Sequence, residues 1–209
     1  MKQLCELTVS EASRALAEGT ISSVDLVSSC IDRISERDSV VKAWTYIDHE
    51  AALAQARACD MRPRHSALQG IPVAVKDVID TRDMPTEYGS KLFAGYKPAY
   101  DAICVSLLRK AGCIVLGKTV TTEFAMFQPG KTRNPYDRKR TPGGSSSGSA
   151  AAVADFQVPA SLTTQTSGST IKPASFCGVV GFKPTFGSIP IFGIRPQAQS
   201  LDKHCNLPV

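Results

Sequence analysis

The sequence predicts an α/β fold, with a central sheet covered by helices. Helical runs with recognisable caps alternate along the chain with short, apolar, β-branched runs bounded by turn residues. The latter read as strands buried on both faces. The chain has 209 residues, 43% of them hydrophobic and 21% charged. That is enough for one domain with a sizeable core.

The elements follow in order. Thr8-Val9-Ser10-Glu11 has the form of a capping box, and Gly19 can close the helix it opens. Ser22 to Asp25 repeats the pattern, and Val24, Leu26, Val27, Ile31 and Ile34 then share one helical face. An alanine-rich helix is expected from about Glu50 to Cys59, so the first sixty residues read as a helical arm. Gly70 to Val75 reads as a strand, Ala102 to Lys110 as a helix stopped by Gly112, and Cys113 to Leu116 as the next strand. A short helix over Ala150 to Asp155 and a strand near Val158 to Thr164 complete the pattern. With no internal repeat and no linker, residues 1–209 are expected as one domain: an arm over 1–60, a core over 61–202 and a tail over 203–209.

Composition narrows the function. The seven cysteines are odd in number, widely spaced and lack a Cys-x-x-Cys pair, which suits reduced thiols in the cytoplasm. His49, His65 and His204 show no ligand spacing, so neither a metal nor a cofactor is expected. The N-terminal stretch is amphipathic, without the apolar core or cleavage site of a signal peptide, and no segment is apolar enough to cross a membrane. The net charge of +5 is modest, and its densest basic group, Arg133 to Arg140, reads as a solvated loop rather than a nucleic-acid surface.

Gly112 to Thr119 spells G-x-x-x-x-G-K-T, the P-loop pattern. A P-loop follows a strand and opens a helix. Here the middle residues, Cys-Ile-Val-Leu, favour being the strand themselves, and the helix comes first. The expected arrangement is helix, turn and buried strand, with Lys118 at the strand's exposed end.

Three segments carry candidate chemistry. TPGGSSSGSAAAVADF, residues 141–156, has linker composition, yet it runs directly into good helix formers. Glycines and serines at the mouth of a helix indicate an anion site or a catalytic turn. The second segment is the strand from Ile71 to Val75, ending in Lys76, and the third is Thr164 to Pro173. Each also has a plain reading: a turn, a solvated lysine and a polar loop.

Together the blocks resemble the amidase signature family of serine hydrolases. The matching stretches are GIPVAVKD at 70–77, GKTVTTEF at 117–124, TRNPYD at 132–137, PGGSSSGSAAAVA at 142–154 and TQTSGSTIKPASFCGVVGFKPT at 164–185. The resemblance implies a mixed central sheet covered by helices, Ser169 as nucleophile, Ser145 as the serine bridging to the base, usually in a cis peptide, and Lys76 as the base. It also implies an oxyanion hole from the backbone N–H groups of Thr166, Ser167, Gly168 and Ser169. Ser167 replaces a glycine common in relatives, and Gln165 stands where many have aspartate. Malonamidase-like relatives carry, at the position of Lys172, an arginine that holds a substrate carboxylate. Lysine offers a point charge there instead of a fork, so a small amide with an acidic group is the expected substrate. The other reading of Lys172 is a solvated cation, and Cys177 reads as a packed core thiol.

Elementary chemistry fits these roles. A serine hydroxyl needs a base to become a nucleophile, and none of the blocks holds a histidine. A lysine can serve if uncharged, which asks for a shift of about three units from its free pKa, or roughly 4–5 kcal/mol. Burial at the end of an apolar strand supplies shifts of that size. Asp77 would oppose it, but neighbours in extended chain point to opposite sides.

The resemblance fades after Asp202, whereas family members continue. A truncated amidase is therefore expected, with apolar surface left exposed and association, such as a homodimer, following from it. Three other readings stay open: an impaired or inactive fragment that binds a partner, the amidase component of a glutamyl-tRNA amidotransferase-like complex, and the nucleotide-binding module.

Overall fold

The computed structural model describes residues 2–198 and 200–208. Its helices are α1 (Val9–Glu18), α2 (Ser23–Val41), α3 (His49–Asp60), α4 (Ile103–Lys110), α5 (Ser147–Ala154) and α6 (Ile171–Cys177). Its strands are β1 (Trp44–Ile47), β2 (Pro72–Lys76), β3 (Ile114–Thr119), β4 (Ala160–Gln165) and β5 (Lys203–Pro208). The sheet order is β1-β3-β2-β4-β5. The three central strands run parallel, and β1 and β5 flank them antiparallel. This is the expected mixed α/β architecture.

The local signals act as read. Glu11 N donates to Thr8 Oγ1 at 3.2 Å and Thr8 N to Glu11 Oε2 at 2.7 Å, closing the first capping box. Ser22 and Asp25 form the second, and Gly19 ends α1 in the left-handed region at φ 68°.

Sheet alternation divides the core. Ala74, Ile114 and Leu116 face Val27, Cys30 and Ile34 of α2 together with the alanines of α5. Val73, Val75, Val115 and Leu162 face the other way, against Cys104 and Val105 of α4 and against Ile79 and Met84. Every residue of α5 is buried. Its small side chains let it enter the core, and Gly148 is the closest point. A Cβ there would collide with the Ala43 carbonyl and the Val120 backbone, and Gly148 N instead donates to Val120 O at 2.9 Å.

Four readings are corrected or extended. The N-terminal arm is not wholly helical, because Trp44–Ile47 pairs with β3 as an edge strand. This strand is short and its partner distant in sequence, so local periodicity carried no trace of it. Helix α5 starts within the Gly/Ser run at Ser147 rather than at Ala150, since small residues are what its buried path requires. The P-loop spelling is a turn and strand, as argued, but Lys118 is fully buried, not exposed. Finally, Lys203–Pro208, read as a tail, pairs with β4 over all six positions. Among the described residues no helix is long and apolar enough to cross a membrane.

Candidate active site

Strand β2 carries Lys76 into the interior at its C-terminal end, in register with Thr119 of β3. The side chain is fully buried. Its Nζ lies 2.6 Å from Ser145 Oγ and 3.0 Å from Thr164 Oγ1. Ser145 stands in the turn that leads into α5, and the Gly144–Ser145 peptide is cis. Backbone bonds fix that turn on two sides: Thr122 N donates to Ser145 O and Ser146 N to Ser169 O, both at 3.1 Å. The second bond ties the Ser145 turn directly to the loop of Ser169.

That loop, Thr166 to Thr170, joins β4 to α6. Gln165 shapes it, its Oε1 accepting the backbone N–H groups of Thr170 and Ile171, each at 3.0 Å. Those two donors would otherwise be bare at the start of α6. Among the described residues none accepts a hydrogen bond from the backbone N–H of Ser167, Gly168 or Ser169. Ser145, Thr166, Ser167, Gly168 and Ser169 all line one cavity of about 490 Å³. Lys172 lines it too, donating its N–H to Gly168 O at 2.9 Å. Its side chain is exposed, and its stem passes beside Gly168. The site is therefore graded: Lys76 sealed in the core, Ser145 only 2% exposed, and Ser169 half-buried at the cavity wall.

Asp77 points away from Lys76, as alternation required. Its Oδ1 lies 3.2 Å from Lys118 Nζ, and its carboxylate accepts the backbone N–H groups of Glu87 and Gly89. Lys118 also donates to Thr86 Oγ1 at 2.5 Å. Burial pushes the Asp77 carboxyl up and the Lys118 amine down, and their mutual attraction works against both shifts. Sequence reasoning missed this pair, and it missed Thr164 as a neighbour of Lys76. The one signal for Thr164 was its place at the end of β4, alongside the end of β2. Cys177 is a packed thiol as read, its Sγ against Pro142 O at 3.4 Å and its pKa raised to about 12 by burial.

The family model "Amidase" matches residues 25–206. The chain belongs to the amidase family. It is 45% identical, over 97% of its length, to a glutamyl-tRNA(Gln) amidotransferase subunit of Chloroflexus aggregans, and covers 44% of that protein. The native peptide amidase of Stenotrophomonas maltophilia superposes with a TM-score of 0.91 at 34% identity, covering 97% of this chain and 45% of that one. The corresponding glutamyl-tRNA(Gln) amidotransferase subunit of Thermotoga maritima gives a TM-score of 0.84 at 36% identity, covering 98% and 44%. This amidase chain thus spans less than half the length of the relatives it matches.

Proposed function

We propose that the chain carries the catalytic centre of an amide-bond hydrolase acting on a small linear carboxamide. The observation that carries this is the contact of 2.6 Å between the buried Lys76 amine and Ser145, with Ser145 and Ser169 lining one cavity. Loss of hydration favours the uncharged form of a buried amine, the form a base needs. In the proposed first step Ser169 Oγ attacks the amide carbonyl carbon. Its proton passes to Ser145 as the Ser145 proton passes to Lys76. The oxyanion is held by backbone N–H groups of Thr166 to Ser169, donors fixed in place before the reaction. Collapse breaks the C–N bond, and the proton returns through Ser145 to the departing amine. Water then releases the acyl group from Ser169 by the same route.

Lys172 is proposed to hold a carboxylate on the substrate, since its cation stands at the same cavity wall. A second reading follows from the 45% identity to an amidotransferase component. In it the same centre works inside a larger complex and passes the released amine to another acceptor.

The test is a fluorophosphonate probe, which labels activated serines. Labelling at Ser169 that disappears in Ser169→Ala is the expected result, and a folded protein left unlabelled would overturn the proposal. Amide hydrolysis by the isolated chain favours the first reading. Activity that arises only with partner subunits favours the second.

A further inference from the structure

The geometry points to a second binding site, for a small multivalent anion of the phosphate type. A cleft of about 480 Å³ opens where α3 and α4 end, ahead of β2 and β3. It is lined by Arg62, Arg82, Arg109 and Lys110 and by no carboxylate. Gln69 in its wall is separated from Lys76 by most of β2, roughly 20 Å of extended chain. The cleft is therefore at the other end of the parallel strands from the candidate active site.

Helix C-termini attract cations on their own account, because their last carbonyls are bare. Here the Cys59 carbonyl of α3 and the Lys110 carbonyl of α4 already have partners, as do the carbonyls of Arg62 and Ala111 just beyond the two helices. Gln69 Nε2 donates to Cys59 O at 3.2 Å and to Arg62 O at 3.3 Å. Ser66 Oγ donates to Ala111 O at 2.7 Å, and His65 Nε2 lies 3.1 Å from Lys110 O. Those contacts are made by Gln69, Ser66 and His65 and not by the Arg62 or Lys110 side chains, and they hold the backbone that presents the cations.

Two of the four have carboxylate partners. Arg109 Nη2 holds Asp83 at 2.7 Å, while its Nε lies 3.3 Å from Asp101, which also receives Arg82 at 3.6 Å. Among the described residues, no carboxylate lies within ion-pair distance of Arg62 or Lys110. Asp60, close to Arg62 in sequence, is turned away to accept the backbone N–H groups of Ser23 and Val24 at the start of α2. The positive charges of Arg62 and Lys110 therefore stand uncompensated on one cleft. An anion with two or more charges and several acceptor oxygens satisfies both, and the guanidinium offers it a planar pair of donors.

Calorimetric titration of the full chain with inorganic pyrophosphate at low ionic strength tests this. Saturable one-site binding is expected, weakening as salt is added. It should weaken at least about tenfold in Arg62→Ala/Lys110→Ala, since charge-assisted bonds are lost. It should be unchanged in Ser169→Ala, so the outcome is independent of the catalytic proposal. Both cleft substitutions are at exposed positions, and an unaltered melting temperature would verify the fold. No saturable binding, or binding that survives the double substitution, overturns the site. Tighter binding of a short RNA oligonucleotide, lost in the same variant, would overturn the small-ligand assignment in favour of a nucleic-acid backbone.

Discussion

Lys76 Nζ sits 2.6 Å from Ser145 Oγ, and the two side chains are only 0% and 2% exposed. An amine placed so deep has its reach to the cavity through a hydroxyl rather than directly. In the proposed relay this would separate the group that takes the proton from the group that meets the substrate.

If that separation is the mechanism, removing either end of the contact should disable the nucleophile. Lys76→Met keeps an unbranched chain in the same space. It is expected to slow fluorophosphonate labelling of Ser169 by about 10²–10⁴-fold. Ser145→Ala should slow it by a similar order, and the double variant by little more, because parts of one relay are not additive. Labelling rates with circular dichroism as a folding control would measure this. Independent, multiplicative losses would argue against a shared path.

Lys172 is predicted to affect selection rather than chemistry. It is exposed at the cavity wall, with its stem alongside Gly168. Lys172→Ala should raise KM for carboxylate-bearing amides by about tenfold, the equivalent of one charge-assisted bond. Neutral amides should be unaffected in both kcat and KM. An unchanged ratio between the two substrate classes would remove the carboxylate-binding role.

What was legible in the sequence was what is local. Thr8 and Glu11, or Ser22 and Asp25, sit within one turn of each other, so their spacing alone states the bond they form. The strands β2 and β3 were legible because burial on both faces forces an unbroken apolar run. The candidate site residues were proposed from their blocks, but the contact of Lys76 with Thr164 joins positions 88 apart and leaves no local mark. Helix α6 was hidden by its own composition: Pro173 looks like a breaker, yet it stands in the first turn, where no backbone N–H is needed. Lys118 misled for a related reason. A lysine at a strand end reads as solvated, and only the fold brings Asp77, Thr86 and Pro85 around it.

Gly148 is predicted to be intolerant of any side chain. Gly148→Ala places a methyl group against the Ala43 carbonyl and the Val120 backbone, neither of which is the flexible end of a side chain. Overpacking of this kind costs about 1–3 kcal/mol or more. For a chain of this size that lowers the melting temperature by several degrees, about 2–4 °C per kcal/mol. Differential scanning calorimetry is the measurement. Because α5 also positions Ser145, labelling of Ser169 should fall in the same variant.

The buried thiols are predicted to lower stability at alkaline pH. Burial raises Cys104, Cys113 and Cys177 from 9.0 to about 12. In the unfolded chain these thiols lose their protons near pH 9, while in the folded protein they keep them until about pH 12. Over that window the unfolded state binds fewer protons, so stability falls as pH rises. Urea midpoints taken below about pH 9 should not show this fall, and midpoints at about pH 10 and above should. Burial raises the Cys30 thiol further still, so replacing Cys30, Cys104, Cys113 and Cys177 by alanine should flatten the slope. A slope that survives the replacement would place its origin elsewhere.

The Lys118–Asp77 pair gives the sharpest test of how the core next to the site is held. Both groups are buried, and each is unfavourable there alone, since burial raises the carboxyl and lowers the amine. Removing one partner leaves the other without its counter-charge, at a cost of about 3–5 kcal/mol. Lys118→Met should therefore be strongly destabilising in urea denaturation, and Asp77→Asn comparably so. Lys118→Met/Asp77→Asn removes both charges, and most of the loss should be recovered, because well-packed neutral replacements of buried pairs are often near neutral. The backbone N–H groups of Glu87 and Gly89 keep an acceptor only if the asparagine carbonyl faces them, so the recovery depends on that orientation. A double variant no more stable than the single ones would mean that hydrogen bonding to this loop, and not charge pairing, is what Asp77 supplies.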